Sequence, residues 1–409
     1  MLSQFLQVDP QLLADVIVQI RNVNLSFTEL TKTQLTMMFD QVVAGHKNVK
    51  LSSLEFFSMD LSLVSPRLLG RAVSLLEVAN LSNTELKFEH VHSIIHEILE
   101  SKVIREINLD FSEVFNVNDD IFAKSLTRLD KVSLACSVMD VAQLESLFTL
   151  LTKEVKMKEL DLLDTDLTSL SPDLLGRAVN NLVKVNLSGS KLSGDQLNPM
   201  FQEFNFNTLT DLNMDYLDLS SVTPESISMV IMNLIKISLK KCSLNSAQLN
   251  LIFESLAKNE ACDIKLRSAN FYGNNLREVD SDYLKQACVR LENVDLSNTN
   301  LPEDSVTSLL EQVTDHETCS HLRHLILAGV RLSKVSTETM ISAMSSLESM
   351  DLSNTGLSPE QVNMILTRVA EGTMTLRQLS LFNVNIEEVD KEVLNQANYH
   401  AFINHRYHI

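Results

Sequence analysis

The sequence predicts an α/β solenoid in which short parallel strands alternate with helices, and three observations support this prediction. First, one leucine-spaced pattern recurs along the chain, as in Leu291–Leu301 and its near-copies Leu76–Leu86 and Leu347–Leu357. Second, strand-like and helix-like segments alternate between the copies, which favours an inner parallel sheet covered by outer helices. Third, only 9 Gly and 7 Pro occur in 409 residues, and no flexible linker is evident. Such a self-similar chain is best interpreted as a single domain, residues 1–409.

The recurring pattern spaces its apolar residues at fixed intervals. In one copy they are Leu291, Val294, Leu296 and Leu301, with Thr299 between the last two. The spacing L-x-x-L-x-L-x-x-(N/C/T)-x-L is that of a leucine-rich repeat. The chain therefore resembles leucine-rich repeat proteins of the ribonuclease-inhibitor-like type, which carry an α-helix in each repeat. The resemblance covers almost the whole chain and implies a horseshoe-like α/β leucine-rich repeat solenoid.

Two types of repeat alternate, and each has a marker residue, the second leucine-type residue of its strand. First-type markers are Leu25, Leu81, Leu134, Leu187, Leu239, Leu296 and Leu352, and second-type markers are Phe56, Leu109, Leu162, Met214, Phe271, Leu327 and Leu381. The step from a second-type marker to the next first-type marker is always 25 residues, whereas the opposite step varies from 27 to 32. We therefore predict about fourteen repeats in seven pairs, with strands centred on the markers. Insertions should lie after first-type strands, in the helix and its return loop.

Short helices are predicted after second-type strands because capping residues stand at one fixed place. Ser65, Ser171 and Thr223 are each followed by proline. Ser and Thr side chains accept hydrogen bonds from free helical amides, and proline suits the first helical turn. The same place without proline is taken by Asp280, Ser336 and Asp390.

Both ends of the chain depart from the regular pattern. Val8–Leu13 matches Val64–Leu69, which follows a second-type strand, so residues 1–21 are predicted to be an incomplete first repeat. Its uncapped edge is predicted to allow self-association, because an open strand edge can pair with another chain. Residues 387–409 are predicted to be an atypical C-terminal repeat or cap.

Net charge and cysteine content restrict the partners and the compartment. A net charge of −19 argues against nucleic acid or an anionic membrane as a ligand and favours a basic or neutral protein. The N-terminus lacks a basic signal-peptide region, and no apolar run approaches a membrane span. Five cysteines without framework spacing indicate a reducing compartment, so we expect a cytoplasmic location.

No catalytic residue, metal or cofactor is predicted. His92 and His96 have metal-compatible spacing on a helix, but the glutamate of a zinc-protease motif is not in its required place. A tag-like metal site at His400, His405 and His408 is disfavoured in the same way. Arg71 and Arg177 invite comparison with Ran GTPase-activating proteins, which share the fold type, yet both fall on predicted outer helices. The chain is therefore interpreted as a non-enzyme.

The candidate partner-binding residues lie on the inner face of the predicted sheet. Side chains alternate along a strand, so the residue before each marker and the two after it should point inward. The predicted binding residues are Phe57, Asp110, Phe111, Asp161, Asp164, Asp215, Tyr216, Tyr272, Asp295, Asp351 and Phe382. Only Lys131, Lys240 and Lys241 are expected to add positive charge to this face.

The predicted function is protein recognition by an acidic concave face with aromatic anchors, which suits a basic or neutral protein partner. The resemblance implies two alternatives: a ligand-sensing fragment of an intracellular innate-immune receptor, and a GTPase-activating-type regulator. A third alternative is a structural assembly built through the N-terminal edge.

Overall fold

The computed structural model describes residues 7–45, 49–115, 117–153, 156–259, 264–315, 320–386 and 389–404. The chain divides into two compact units, unit 1 (residues 1–192 and 202–209) and unit 2 (residues 193–201 and 210–409). Within each unit, three-residue strands alternate with helices, and neighbouring strands are parallel and follow chain order. The predicted α/β repeat architecture is therefore confirmed in both units.

The helices and strands have the following bounds. Unit 1 contains α1 (Pro10–Ile17), β1 (Asn22–Asn24), α2 (Lys32–Ala44), β2 (Ser53–Glu55), α3 (Pro66–Val73), β3 (Val78–Asn80), α4 (Phe88–Glu100), β4 (Glu106–Asn108), α5 (Asp119–Leu126), β5 (Lys131–Ser133), α6 (Val141–Leu151), β6 (Glu159–Asp161), α7 (Pro172–Val179) and β7 (Lys184–Asn186). Unit 2 contains, apart from the last residue of its first helix, α8 (Gly194–Gln202), β8 (Asp211–Asn213), α9 (Pro224–Asn233), β9 (Lys236–Ser238), α10 (Ser246–Lys258), β10 (Ser268–Asn270), α11 (Ser281–Cys288), β11 (Asn293–Asp295), α12 (Glu303–Thr314), β12 (His324–Ile326), α13 (Thr337–Met344), β13 (Ser349–Asp351), α14 (Pro359–Ala370), β14 (Gln378–Ser380), α15 (Lys391–His400) and β15 (Phe402–Asn404). Among the described residues, no helix combines the length and the apolar character that crossing a bilayer requires.

The strand register agrees with the predicted core positions. In β2 the middle residue Leu54 and the marker Phe56 are fully buried, whereas Glu55 and Phe57 on the opposite face are half-buried. All fourteen markers are buried. The prediction that strands centre on the markers is wrong, because each strand ends one residue earlier. The marker nevertheless extends the ladder: the Phe56 N–H donates to the carbonyl oxygen of Asn80 at 2.9 Å.

The connection from strand to helix has a constant length in each type of repeat. β3 ends at Asn80 and α4 begins at Phe88, and the same seven-residue interval follows every first-type strand. Second-type strands are followed by ten-residue intervals. The first-type helices have 9 to 13 residues, and their return segments vary as well. The second-type helices have 8 or 10 residues, but from α3 to α13 the return segment compensates, because the step to the next first-type marker stays at 25 residues. The insertions thus follow first-type strands on the helical side, as predicted. Parts of the three longest steps (46–48, 260–263 and 316–319) lie outside the described residues.

The predicted capping residues begin the helices that follow second-type strands. The Ser171 hydroxyl accepts a hydrogen bond from the N–H of Leu174, and Asp280 accepts two from the first turn of α11. Thr223, Ser336 and Asp390 cap their helices in the same manner. Ser65 occupies the N-cap position of α3 without a side-chain capping bond. These caps satisfy amides that have no partner inside the helix.

A buried glutamine connects several first-type helices to the preceding repeat. The Gln248 side-chain oxygen accepts a hydrogen bond from the N–H of Asn245, the N-cap of α10, at 2.8 Å. Its amide nitrogen donates to the carbonyl oxygens of Leu219 (2.7 Å) and Val222 (2.6 Å) in the repeat before. Equivalent inter-repeat bonds are made by Gln34, Gln143 and Gln361.

In α4 a buried histidine takes the place of this glutamine. The Nδ1 atom of His90 accepts a hydrogen bond from the N–H of Lys87 at 3.3 Å, and Nε2 lies 2.9 Å from the carbonyl oxygen of Val64. Because a backbone N–H can only donate, Nδ1 must be the acceptor and Nε2 must carry the proton. The neutral imidazole therefore reproduces the acceptor and donor arrangement of the glutamine amide.

The N-terminal edge of unit 1 exposes an apolar stripe on α1 and the residues after it. Leu12, Val16 and Ile20 are 58%, 50% and 45% exposed. In the next second-type repeat, Ala72 and Leu76 stand at the places equivalent to the last two and are buried. In the later repeat this surface is covered by the repeat that precedes it, whereas on α1 it is exposed.

The C-terminal segment adds one strand to the fourteen predicted. Its described part contains α15 and β15, and β15 pairs in parallel with β14. Ile403 in the middle of β15 is buried, like the middle residues of the regular strands. Residues 389–404 therefore continue the repeat architecture.

Candidate functional site

One position in each repeat has a left-handed backbone. It is the second residue after the marker, and its φ lies between 52° and 73° in all fourteen repeats. We call these residues the left-handed row: Phe27, Ser58, Asn83, Phe111, Cys136, Asp164 and Gly189 in unit 1, and Tyr216, Lys241, Gly273, Asn298, Gly329, Asn354 and Asn383 in unit 2. Each lies where the chain leaves its strand.

The left-handed row contains large side chains that this backbone disfavours. Gly and Asn adopt positive φ readily, whereas other L-residues incur about 1–2 kcal/mol. This backbone conformation is nevertheless adopted by Phe27, Phe111 and Tyr216, whose side chains are 60%, 59% and 53% exposed. A strained residue with limited burial is a reason to look for function at that residue.

Three of the predicted binding acids use their carboxylates in hydrogen bonds to the turn that follows the strand. Asp161, Asp295 and Asp351 are each the last residue of a strand and are half-buried. Each carboxylate accepts a hydrogen bond from the backbone N–H two residues further on, at 2.8 to 3.0 Å. Asn side chains make the same bond at equivalent positions, including Asn80 and Asn186. The acids and these asparagines therefore share a structural role.

Two further predicted acids connect neighbouring repeats. Oδ1 of Asp110 accepts from the Ser133 hydroxyl at 2.5 Å and from the N–H of Ala135 at 2.8 Å. Asp215 makes the corresponding bonds to the Ser238 hydroxyl (2.6 Å) and to the backbone N–H of the residue after Leu239 (2.8 Å). Both carboxylates are half-buried and held in place by the fold.

Asp164 is more accessible than the other predicted acids of unit 1. It belongs to the left-handed row, is exposed, and accepts a hydrogen bond from the Cys136 thiol at 3.7 Å. Burial, followed by the nearby Asp164 charge, raises the pKa of the Cys136 thiol above its usual value. The Asp164 carboxylate lies where a side chain on Gly189 would stand, so this glycine keeps space for it.

The predicted phenylalanines are accompanied by one that the sequence interpretation missed. Phe57 packs edge-to-face on Phe27 with ring centroids 5.1 Å apart. Phe111 is exposed in the left-handed row, and Phe382 is half-buried in unit 2. Phe27 was overlooked because first-type repeats carry mainly small polar residues there. Its position two residues after the marker Leu25 would have assigned it to the inner face. Phe402, in β15, is a second exposed ring outside the predicted set.

The predicted tyrosines of unit 2 are in contact with lysines. The Nζ atom of Lys240 lies 5.5 Å from the ring centroid of Tyr216 and 4.7 Å from that of Tyr272. For Lys241 the corresponding distances are 6.0 and 5.8 Å. A hydrogen bond with Tyr216 is the main cause that raises the pKa of Lys240. These rings already have cationic neighbours, which makes them poor contacts for a basic partner.

Charge is distributed unequally over the open face, defined as the first and third strand residues and the two residues after each marker. In unit 1 it carries Glu55, Glu106, Asp110, Glu159, Asp161 and Asp164 against Lys131 and Lys184, and in unit 2 Asp211, Asp215, Asp295 and Asp351 against Lys236, Lys240 and Lys241. Glu159 pairs with Lys184 at 2.9 Å and with Lys131 at 3.7 Å. The acidic excess is therefore mainly a property of unit 1.

The residues considered for metal or catalytic chemistry lie apart from this face. No group of three or more His, Cys, Asp and Glu suited to a metal occurs within the described ranges. The rings of His92 and His96 contact each other on α4 in a tilted arrangement, with centroids 5.0 Å apart. Arg71 and Arg177 are exposed on α3 and α7. Of the C-terminal histidines, His405 and His408 lie outside the described residues.

Comparisons with known proteins give structural similarity at low sequence identity. No protein-family model and no curated protein sequence matches the chain. The TLR13–ssRNA13 complex is similar over 90% of this chain, with 15% identity and a TM-score of 0.47, and the chain spans 48% of that TLR13 chain. A chain of the Rad7 and Elc1 complex from yeast is similar at 16% identity and a TM-score of 0.42, over 80% of this chain and 85% of that chain. LegL7, a leucine-rich repeat-containing protein from Legionella pneumophila, matches over 85% of this chain and 97% of its own, at 15% identity and a TM-score of 0.40.

The fold assignment follows from the chain's own repeats. The leucine spacing, the parallel three-residue strands, the buried markers and the helix after each strand recur through both units. Each unit therefore has the α/β fold of leucine-rich repeats.

Proposed function

We propose that the open face of unit 1 binds a basic protein segment, with Phe27, Phe57 and Phe111 as its apolar contacts. The observation that best supports this proposal is the left-handed backbone of the exposed Phe27 and Phe111. Asn or Gly at either place would remove a backbone cost of about 1–2 kcal/mol. Folding stability therefore gives little reason for aromatic residues here, whereas exposed aromatic rings are common contacts in protein recognition.

The acids of unit 1 suit a basic partner. Asp110 and Asp161 are held by backbone hydrogen bonds, so their carboxylates lose little freedom when a partner binds. Glu106 at the start of β4 and Asp164 beside Cys136 add charge to the same face. An acidic field of this kind accelerates the encounter with a basic surface, and the aromatic contacts then prolong the complex.

A photo-cross-linking experiment identifies the partner and tests the face together. A photoreactive phenylalanine analogue replaces Phe111, and, as the control, the exposed Val141 on α6. In native lysate we expect a basic protein to cross-link from position 111 and not from position 141. Equal cross-linking from both positions, or cross-linking from position 141 alone, would contradict the proposal.

Association rates of variants that lack these acids then test whether the negative charge of the open face steers the partner. In surface plasmon resonance with the captured partner, we expect Glu106→Gln with Asp164→Asn to slow association about 3- to 10-fold and to flatten its salt dependence. Glu100→Gln with Glu145→Gln on helices removes the same charge and should leave the association rate unchanged. If both pairs have equal effects, the steering surface is not the open face.

We also propose that the stripe of Leu12, Val16 and Ile20 binds a second copy of the chain. The three residues are spaced evenly about Val16. An antiparallel twofold arrangement would therefore place Leu12 of each copy against Ile20 of the other, with Val16 on the axis. β1 supports this arrangement, since within the described residues it pairs with β2 alone and has an open edge.

Light scattering after size exclusion tests this second proposal. The chain is expected to dimerise with rising concentration, and Val16→Glu should make it monomeric because it places a charge on the twofold axis. Val141→Glu, on the exposed surface of α6, is the matched control and should still dimerise. A wild-type chain that stays monomeric at high concentration would rule the proposal out.

We further propose a reducing, cytoplasmic environment. The described cysteines Cys136, Cys242 and Cys288 are free. Burial raises the pKa of the Cys242 and Cys288 thiols to about 12, which keeps both thiols protonated and unreactive at neutral pH.

A further inference from the structure

Tyr216, Lys240, Lys241 and Tyr272 form a compact group on three consecutive strands of unit 2, which we call the tyrosine–lysine cluster. Tyr216 follows β8, the two lysines follow β9, and Tyr272 follows β10. Each ammonium group lies within 6.0 Å of both ring centroids. Repeat stacking thus places two positive charges between two phenol side chains.

The two ammonium groups of this cluster form no salt bridge among the described residues, although the hydrogen bond with Tyr216 and, to a smaller extent, the nearby Asp215 charge raise the pKa of Lys240. Asp215 is the acid beneath it, but its Oδ1 atom already accepts from the Ser238 hydroxyl and from the Lys240 backbone N–H. Among the described residues, no carboxylate oxygen lies within salt-bridge distance of either lysine Nζ. In unit 1, by contrast, Lys184 on the open face pairs with a glutamate at 2.9 Å.

The backbone around the cluster holds Lys241 in position. Lys241 has a φ of 52°, a conformation that a lysine adopts only at a cost. The next residue of the left-handed row is Gly273, with a φ of 70°. A Cβ atom on Gly273 would stand 2.7 Å from the Cγ atom of Lys241, so the glycine leaves the space in which the lysine stem lies.

We propose that the tyrosine–lysine cluster binds the phosphate group of a phosphorylated protein segment. Two ammonium groups and two phenol hydroxyls offer several hydrogen-bond donors to one anionic group. A phosphate monoester carries about 1.5–2 negative charges and three acceptor oxygens, so it matches two cations better than a single carboxylate does.

A single phosphate fits this surface better than a polyanion. The cluster has two lysines, whereas the same face of unit 2 also carries Asp211, Asp295 and Asp351. These acids would repel the continuous phosphates of a nucleic acid, whose binding depends on many cationic contacts. The role proposed here differs from that of the acidic face of unit 1 and does not depend on it.

The test measures binding of a phosphoserine peptide to the full chain. The chain has 5 Tyr and no Trp, so its intrinsic fluorescence reports tyrosine surroundings when the peptide lacks aromatic residues. We expect the phosphoserine peptide to bind at least about tenfold more tightly than the same peptide with Ser or Glu, and to bind more tightly than inorganic phosphate. Equal binding of the Glu peptide would overturn the phosphate assignment, and equal binding of inorganic phosphate would overturn the protein ligand.

Lysine variants test whether the peptide binds at the tyrosine–lysine cluster. Lys240→Ala with Lys241→Ala should weaken phosphoserine-peptide binding by about tenfold or more. Lys131→Ala with Lys236→Ala removes the same charge from two exposed strand lysines and should have little effect. If both double variants lost the same amount of peptide affinity, binding would reflect general electrostatic attraction and not a site at the cluster. Tighter binding of a single-stranded RNA than of the peptide would also overturn the proposal. Circular dichroism confirms that each variant is folded.

Discussion

Replacing Phe271 with Ala is expected to lower the free energy of unfolding by about 3–5 kcal/mol. Phe271 is a fully buried marker, and its ring centroid lies 5.0 Å from that of Phe253 in α10. The substitution removes the aromatic contact and leaves a cavity that the hydrogen-bonded strands on either side cannot readily close. Chemical denaturation followed by circular dichroism measures the loss.

Phe111→Asn is the matched control, because it removes a phenylalanine ring from the left-handed row rather than from the core. We expect a change below about 1 kcal/mol, since relief of the backbone cost offsets the loss of partial burial. If Phe271→Ala costs no more than Phe111→Asn, the assignment of buried markers is wrong.

Gln248→Leu is expected to destabilise the chain by about 2–4 kcal/mol. Leucine preserves the approximate size of the side chain but leaves the Val222 carbonyl oxygen and the Asn245 N–H without the partner that Gln248 gives them. Each unpaired buried polar group costs about 1–3 kcal/mol. The denaturation midpoint should fall, and hydrogen exchange at the start of α10 should become faster.

The chain itself supplies the control for this substitution. His90 makes equivalent bonds to Lys87 and Val64, so Gln248→His should retain an acceptor for the N-cap amide and a donor for the carbonyl. We expect it to lose less than half of the stability that Gln248→Leu loses. Equal losses in the two variants would mean that packing, and not hydrogen bonding, is the contribution of Gln248.

The core of the fold was predictable from sequence because leucine spacing is a strong, repeated signal. Phe56 and Phe271 could be assigned to the interior from register alone, and both are fully buried. The N-caps Ser171 and Asp280 were predictable because short-range capping depends only on neighbouring residues. The extra strand at Phe402–Asn404 was not predicted, since the leucine pattern is absent there.

The candidate site was less predictable because its properties depend on contacts between repeats. Sequence register placed Asp110 on the face, but not its bonds to the following repeat. The left-handed row was hidden because Phe27 and Tyr216 stand at places where Gly or Asn would have marked it. The lysines near Tyr216 lie one repeat away, so their contacts could be seen only in the folded chain.

In the left-handed row, the identity of the side chain can vary without a change in the backbone conformation of the repeat. Its backbone angle recurs with Phe, Ser, Asn, Cys, Asp, Tyr, Lys and Gly alike, so the strand-to-helix corner, and not the side chain, sets the conformation. The exposed members of the row can therefore be diversified without altering the leucine spacing that specifies the fold. A library randomised at Phe27, Asn83, Phe111 and Asp164 would change the binding surface of unit 1 while the buried leucines remained untouched, which makes this chain a scaffold for engineered recognition.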